Sequence, residues 1–299
     1  MYRMLFGSPE KFLRSLLVQY ISLLEADWET IEMLKWFKQL DQILRGDATR
    51  MSLLTEGQIK IPVAGLSVVI ILLGVLYGLC AGSFTVIRTG GQAYMQMIAS
   101  AIKLPLLFFL TLAVTFPSLY VFNALIGTRL SVASAFRLLI AALGVMLAVL
   151  ASLGPIVIFF ALSTKSYHFM LLLNVATSTV AGVLGLGFLL RTLDRLVIVQ
   201  EDIEISNFEA SLENAPDEEA KEKRIEPTGA LDRMGKVTTR KAKGVFRIWT
   251  IVFALVGAQM SWVLRPFIGS PALPFEWFRV RESNFFIAVV NSLISLFSP

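Results

Sequence analysis

The sequence predicts an all-α fold: a polytopic helical membrane bundle of about five transmembrane helices, joined by amphipathic interfacial helices. Three observations carry this reading. Hydrophobic residues fill 56% of the 299 positions and charged residues only 16%, against about 25% charged in a soluble domain. The mean hydropathy is +0.70. The charges gather in roughly 1–60 and 191–247, and the long stretches between are almost free of them, as segments crossing hydrocarbon require.

The first region, 1–60, is predicted to be cytoplasmic and amphipathic. Ser8-Pro9 make a helix start, a capping serine with proline in the first turn. Phe12, Leu13, Leu16, Leu17, Tyr20, Leu23 and Leu24 then share one face over 8–24. Such a face fits either the membrane interface or the rest of the protein. A second amphipathic stretch, 26–45, carries Trp28, Ile31, Leu34, Trp36, Phe37 and Leu40, and would form a helical hairpin with the first. Met1–Lys11 has no apolar core of a cleavable leader, so the first span is expected to serve as an uncleaved anchor.

Residues 61–190 are predicted to hold four spans. The first, about Ile61–Ile87, contains Gly74, Gly78 and Gly82. Glycines four apart make a flat stripe against which another helix packs closely, from this chain or from another. Residues 88–103 contain Arg88, Gln92, Gln96 and Lys103 and read as a short interfacial helix. The second span is about Leu104–Ile126, with Pro105 at its start and a kink expected at Pro117. The third is about Val132–Leu153, broken at Gly154-Pro155, with the apolar run continuing to Leu162. The fourth is about Tyr167–Leu190, where Ser178/Gly182 and Ala181/Gly185 are pairs of small residues suited to packing.

Residues 191–243 are acidic first and basic second. The acidic half extends the fourth span to about Glu209, and the remainder reads as a charged cytoplasmic linker. A fifth span follows in 244–264. The tail, 265–299, is rich in Arg, Pro and aromatic residues and ends in a short apolar stretch, interfacial or re-entrant. Lys and Arg concentrate in 1–60 and 191–243. The positive-inside rule therefore puts both in the cytoplasm and the carboxyl-terminal tail outside, in a bacterial inner membrane.

Signals of catalysis are missing. Cys80 and His168 are the only residues of their types, which leaves no disulfide framework and no Cys or His cluster for a metal. No nucleotide, zinc-protease or nucleophile-elbow motif is present, and no span holds a carboxylate at mid-depth. No catalytic residue, cofactor or metal is expected. The polar residues within spans are Asn123, Asn174, Thr177, Ser178 and Gln259. They suit interhelical hydrogen bonds, or a polar path if they converge. The net charge of +5 lies beside membrane segments, where it meets lipid rather than nucleic acid. In the tail, Arg265, Arg279 and Arg281 with Glu276 and Glu282 are expected to tie a compact cap, with Trp262, Trp277 and Phe278 at headgroup level. The cap would also offer a partner surface.

Several runs carry a resemblance. They are Ser100-Ala-Ile-Lys-Leu-Pro105, Pro117-Ser-Leu-Tyr-Val-Phe-Asn123, Leu172-Leu-Asn174-Val, Trp262-Val-Leu-Arg-Pro-Phe267 and Pro274-Phe-Glu-Trp-Phe-Arg279. Over about Leu66 to Phe286 the chain resembles a family of bacterial multi-pass membrane proteins that has no established activity. In layout, and in Asn123-Ala-Leu-Ile-Gly127, it is also distantly similar to Yip-type five-span membrane proteins. That likeness implies a membrane-organising adaptor and transfers no functional residue. The expected function is non-enzymatic: a scaffold or accessory subunit of an inner-membrane assembly, in contact with the lipid bilayer and with a protein partner or further copies of itself. The alternative is a transporter or channel subunit with a path near Asn123, Asn174 and Ser178. A membrane enzyme would need His168 or the tail arginines to meet a lipid headgroup.

Overall fold

The computed structural model describes residues 32–46, 62–89, 94–126, 132–213, 230–270, 273–279 and 284–297. Among them are seven helices and no strand: α1 (32–44), α2 (Val63–Thr89), α3 (Tyr94–Ile126), α4 (Val132–Ser163), α5 (Tyr167–Glu213), α6 (Ala230–Val263) and α7 (Phe285–Phe297). Four stretches are long and apolar enough to cross a membrane: Val63–Thr89, Tyr94–Val121, Ala133–Ser163 and Tyr167–Arg195. This is a helical membrane bundle. Arg247–Val263, in the position of the fifth predicted span, and Phe285–Phe297 are apolar but shorter.

Contacts fix the register. A Cβ on Gly82 would meet Met97, one on Gly78 Ala101, and one on Gly74 Pro105, so α2 and α3 run antiparallel. Gly144 lies by Leu66 and Gly154 by Cys80, so α4 runs parallel to α2. Met146 faces both Gly182 and Gly185 on antiparallel α5. On α6, Gly257 faces Thr111, and Trp249 Nε1 donates to the Thr115 carbonyl at 3.1 Å. The bundle thus has a near end, where α2 begins, and a far end at the α2–α3 and α4–α5 connections.

α4 is the central helix. Leu138, Leu139, Ile140, Ala141, Ala142 and Leu143 are all buried, as are Val145, Met146 and Leu147. A helix apolar on every side is stable only when other helices surround it. α2, α3 and α5 do so, and α1 closes the near end by burying Leu40 and Ile43. Leu40 reaches both Gly144 and Leu66, while Trp36 covers Gly65. Large apolar side chains elsewhere face outward, among them Leu76 on α2, Val114 on α3 and Val183 on α5. That is the exterior a lipid solvent favours.

The structure departs from the sequence reading in three places. Residues 94–103 are no separate interfacial helix but the first turns of α3, which passes through Pro105 and Pro117. Their polar side chains point into the protein: Gln96, Ser100 and Lys103 are buried while Tyr94, Met95, Ile98 and Ile102 are exposed. α4 likewise runs unbroken through Gly154-Pro155. α5 continues to Glu213, close to the expected end near Glu209, but α6 begins at Ala230, inside the stretch read as a linker. The many Glu, Lys, Arg and Ala residues of that stretch favour helix. The amphipathic stretch 8–24 lies outside the described residues, as do Arg281 and Glu282.

Candidate functional site

The most built polar region is at the far end, where the tail folds back onto α2 and α3. After Val263 the chain turns through a cis Arg265–Pro266 bond and reaches Gly269, which has φ +73°. The segment 266–269 lies against four buried donors. Thr85 Oγ1 reaches the carbonyls of Ile268 and, at 3.0 Å, of Gly269. Gln96 Nε2 lies 3.0 Å from the Pro266 carbonyl and 3.2 Å from that of Phe267. Ser100 Oγ also reaches the Phe267 carbonyl. Lys103 Nζ donates to the Pro266 carbonyl at 3.4 Å and to that of Trp277.

Positions 96, 100 and 103 bring these donors together because residues three and four apart share a helix face. Gly269 has no side chain for a simple reason. A Cβ there would lie 2.7 Å from both Gln96 Cγ and Thr85 Oγ1, and its φ is one that L residues rarely adopt.

Lys103 is only 2% exposed. Burying an ammonium group is costly unless its charge is compensated. Here two carbonyls do so, together with the rings of Phe278 and Trp277, whose centroids lie 5.0 and 5.9 Å from Nζ. A cation over an aromatic face gains most where water is excluded. The rings themselves remain half exposed, at 47% for Trp277 and 58% for Phe278. They form the lid over the lysine and part of the outer surface.

Of the tail residues singled out from sequence, Arg265 places its guanidinium 3.9 Å from the Trp262 ring centroid. Arg279 donates to the Pro274 carbonyl at 3.3 Å. The tail is thus held largely through its main chain. Segments 100–105, 262–267 and 274–279, which carry part of the family resemblance, meet at this one place.

A second polar cluster lies at mid-depth. The Tyr77 hydroxyl donates to Asn174 Oδ1 at 2.8 Å and sits 2.6 Å from Thr177 Oγ1. Thr177 also donates to the Asn174 carbonyl. These groups satisfy one another between α2 and α5. Gln259, half-buried on α6, does not join them, and Ser178 is exposed. The side chain of Asn123 is outside what the structure describes. A cavity of about 10 Å³ between α3, α4, α5 and α6 is lined by Leu119, Ala135, Leu138, Leu139, Leu189, Leu193 and Trp249, and it holds at most one water.

The glycine stripe packs within the chain. A Cβ at Gly78 would lie 2.5 Å from the Ser100 carbonyl oxygen, and one at Gly82 2.7 Å from the Met97 Cα. Gly74 abuts Pro105. Gly185 makes room for the Met146 side chain, and Gly182 stands at its edge. His168, exposed at the start of α5, has Nδ1 3.5 Å from Ser292 Oγ on α7. Among the described residues no three His, Cys, Asp or Glu side chains assemble where a metal could bind.

Sequence reasoning passed over Tyr77, Thr85, Ser100 and Lys103 as site residues. The spacing of Gln96, Ser100 and Lys103 was the available signal, since it gives an otherwise apolar helix one polar face. No protein-family model, curated protein or solved structure matches this chain. The family resemblance therefore rests on the sequence segments alone.

Proposed function

We propose that this protein is a non-enzymatic membrane scaffold or accessory subunit. The observation that carries this reading is the length of α5. Its 47 residues make a rod of about 70 Å, far beyond the roughly 30 Å of a bilayer core. Past Arg195, where its apolar stretch ends, it continues as helix to Glu213. α6 likewise has 17 helical residues, 230–246, before its apolar stretch begins at Arg247. Two helices thus project from the near end, rich in acidic residues on one and basic residues on the other, as a platform for other proteins would be.

The path reading draws less support. Asn174 and Thr177 are engaged with Tyr77, and the cavity described above is apolar.

Charge supports an orientation with the projecting helices in the cytoplasm of a bacterial cell. Among the described residues, only five Lys and Arg residues fall at the far end: Arg88, Lys103, Lys165, Arg265 and Arg279. The positive-inside rule assigns the far end to the outside. The weak likeness to Yip-type proteins agrees with an adaptor role.

Purification of the full chain from native membranes in mild detergent, with mass spectrometry of what accompanies it, tests the reading. A stoichiometric partner, lost when Glu201, Asp202 and Glu204 are replaced by Lys, is the expected result. A protein that purifies as a lone monomer and conducts solute across liposomes would overturn it.

A further inference from the structure

Helix α1 presents three faces, and the bundle covers only one of them. Trp36, Leu40 and Ile43, at spacings that share a helix side, turn towards the bundle. Trp36 covers Gly65, Leu40 approaches Gly144, and both Leu40 and Ile43 are buried. Beside them runs a second apolar face. Met33, Phe37 and Leu44 share it, with Leu34 at its edge, and all four are exposed, Leu34 at 67%. Lys35, Lys38, Gln42 and Arg45 fill the third face and are exposed as well. Lys35 pairs with Glu32 at 2.7 Å and Arg45 with Asp41 at 2.9 Å. The apolar part of α1 is thus wider than its docking on the bundle requires.

The depth of α1 identifies what meets the surplus. About 20 residues of helix cross the roughly 30 Å hydrocarbon core. Counted back along α4 from its last residue, Ser163, they reach Gly144. Leu40 of α1 and Leu66 of α2 both approach that glycine, so α1 lies at the near edge of the core. Charged residues on the neighbouring helices begin beyond the same level. They are Arg137 on α4 and Arg191 on α5, the latter past the Gly182 and Gly185 that face Met146. Just inside the edge, α2 turns Val68 and Ile71 outward. The uncovered face of α1 therefore stands at the rim of the bundle's lipid-facing exterior.

We propose that α1 lies in the interface between headgroups and acyl chains at the near end. Met33, Leu34, Phe37 and Leu44 insert among the first acyl carbons, and Lys38 and Gln42 turn to the headgroups. A helix apolar on one side and charged on the other settles in that plane. Because Lys35 and Arg45 are paired within α1, insertion rests on apolar area and needs no anionic lipid. The contact holds the near end at a fixed depth, whether or not a protein engages α5 and α6.

The test uses the full chain reconstituted in phosphatidylcholine vesicles, with a nitroxide label on a cysteine introduced as Phe37→Cys, Leu44→Cys or Lys38→Cys. The native thiol, Cys80, is buried. Oxygen concentrates among acyl chains and a nickel chelate in water, so collisions of the label with each report its surroundings. Labels at 37 and 44 meet oxygen several-fold more often than nickel, as does a reference label at Val183→Cys on the outward side of α5. The label at 38 shows the reverse. Either 37 or 44 suffices where the other variant fails to fold. Nickel-dominated collisions at these two positions overturn the proposal in favour of a face bathed in water. Shielding from both reagents overturns it in favour of cover by the 8–24 stretch or by a second copy of the chain.

Discussion

At Gly78 a single methyl group is already too much. The Ser100 carbonyl stands where it would go, and forcing extra atoms into a packed contact costs about 1–3 kcal/mol. Gly78→Ala is therefore expected to lower the thermal midpoint in detergent. Gly187→Ala, with nothing within 4 Å of the added carbon, leaves it nearly unchanged. Tyr77→Phe removes the hydroxyl shared by Asn174 and Thr177. Its expected cost is about 0.6–2 kcal/mol, the range for hydrogen bonds between membrane helices, read from the same melting curves. The glycine stripe was legible in the sequence because its spacing of four is itself the signal. Which helix lay against it was not legible. The facing residues Met97, Ala101 and Pro105 carry no mark of that role until α3 is seen to begin at Tyr94.

Among the elements, α3 shows why hydropathy misleads at a span's end. A polar residue in a helix of this kind can face water or face inward, and composition alone reads both as interface. Gln96, Ser100 and Lys103 face inward to hold the tail. The acceptors for them are main-chain carbonyls, which every residue possesses, so nothing in 266–269 announces the contact. Gly269→Ala introduces both a clash and an unfavourable φ. It is expected to free the tail and expose the 265–279 segment to limited proteolysis, while helix content measured by circular dichroism stays within a few per cent. Lys103→Met removes the ammonium donor from two carbonyls. It is expected to destabilise the same segment by about 1–3 kcal/mol, with faster cleavage there as the readout.

For the molecule as a whole, the bilayer made the architecture readable. Hydrocarbon tolerates only long apolar helices with satisfied backbones, and such runs are conspicuous in any sequence. The break expected at Pro155 and the linker expected past Glu209 were less readable, since α4 continues as helix through that proline and charged residues form helix well. The two ends of the bundle lead to a test of sidedness. Lys35 and Glu276 are exposed at the near and far ends, and the native Cys80 is buried. Cysteines at Lys35→Cys and Glu276→Cys are expected to react with an impermeant thiol reagent from opposite faces of the membrane. Reaction of both from one face would contradict the arrangement of spans.

The docking of the tail also imposes an order on biosynthesis. Thr85, Gln96, Ser100 and Lys103 are translated more than 160 residues before the carbonyls they bind. Until residues 266–277 leave the ribosome, the far end holds four polar groups, one of them charged, with no acceptor from the tail. Buried, they would carry the desolvation cost of unpaired groups, so the nascent bundle must keep that end open to water or to a helper that covers it. Chain termination just before Pro266 would leave every span in place and the same groups without their acceptors.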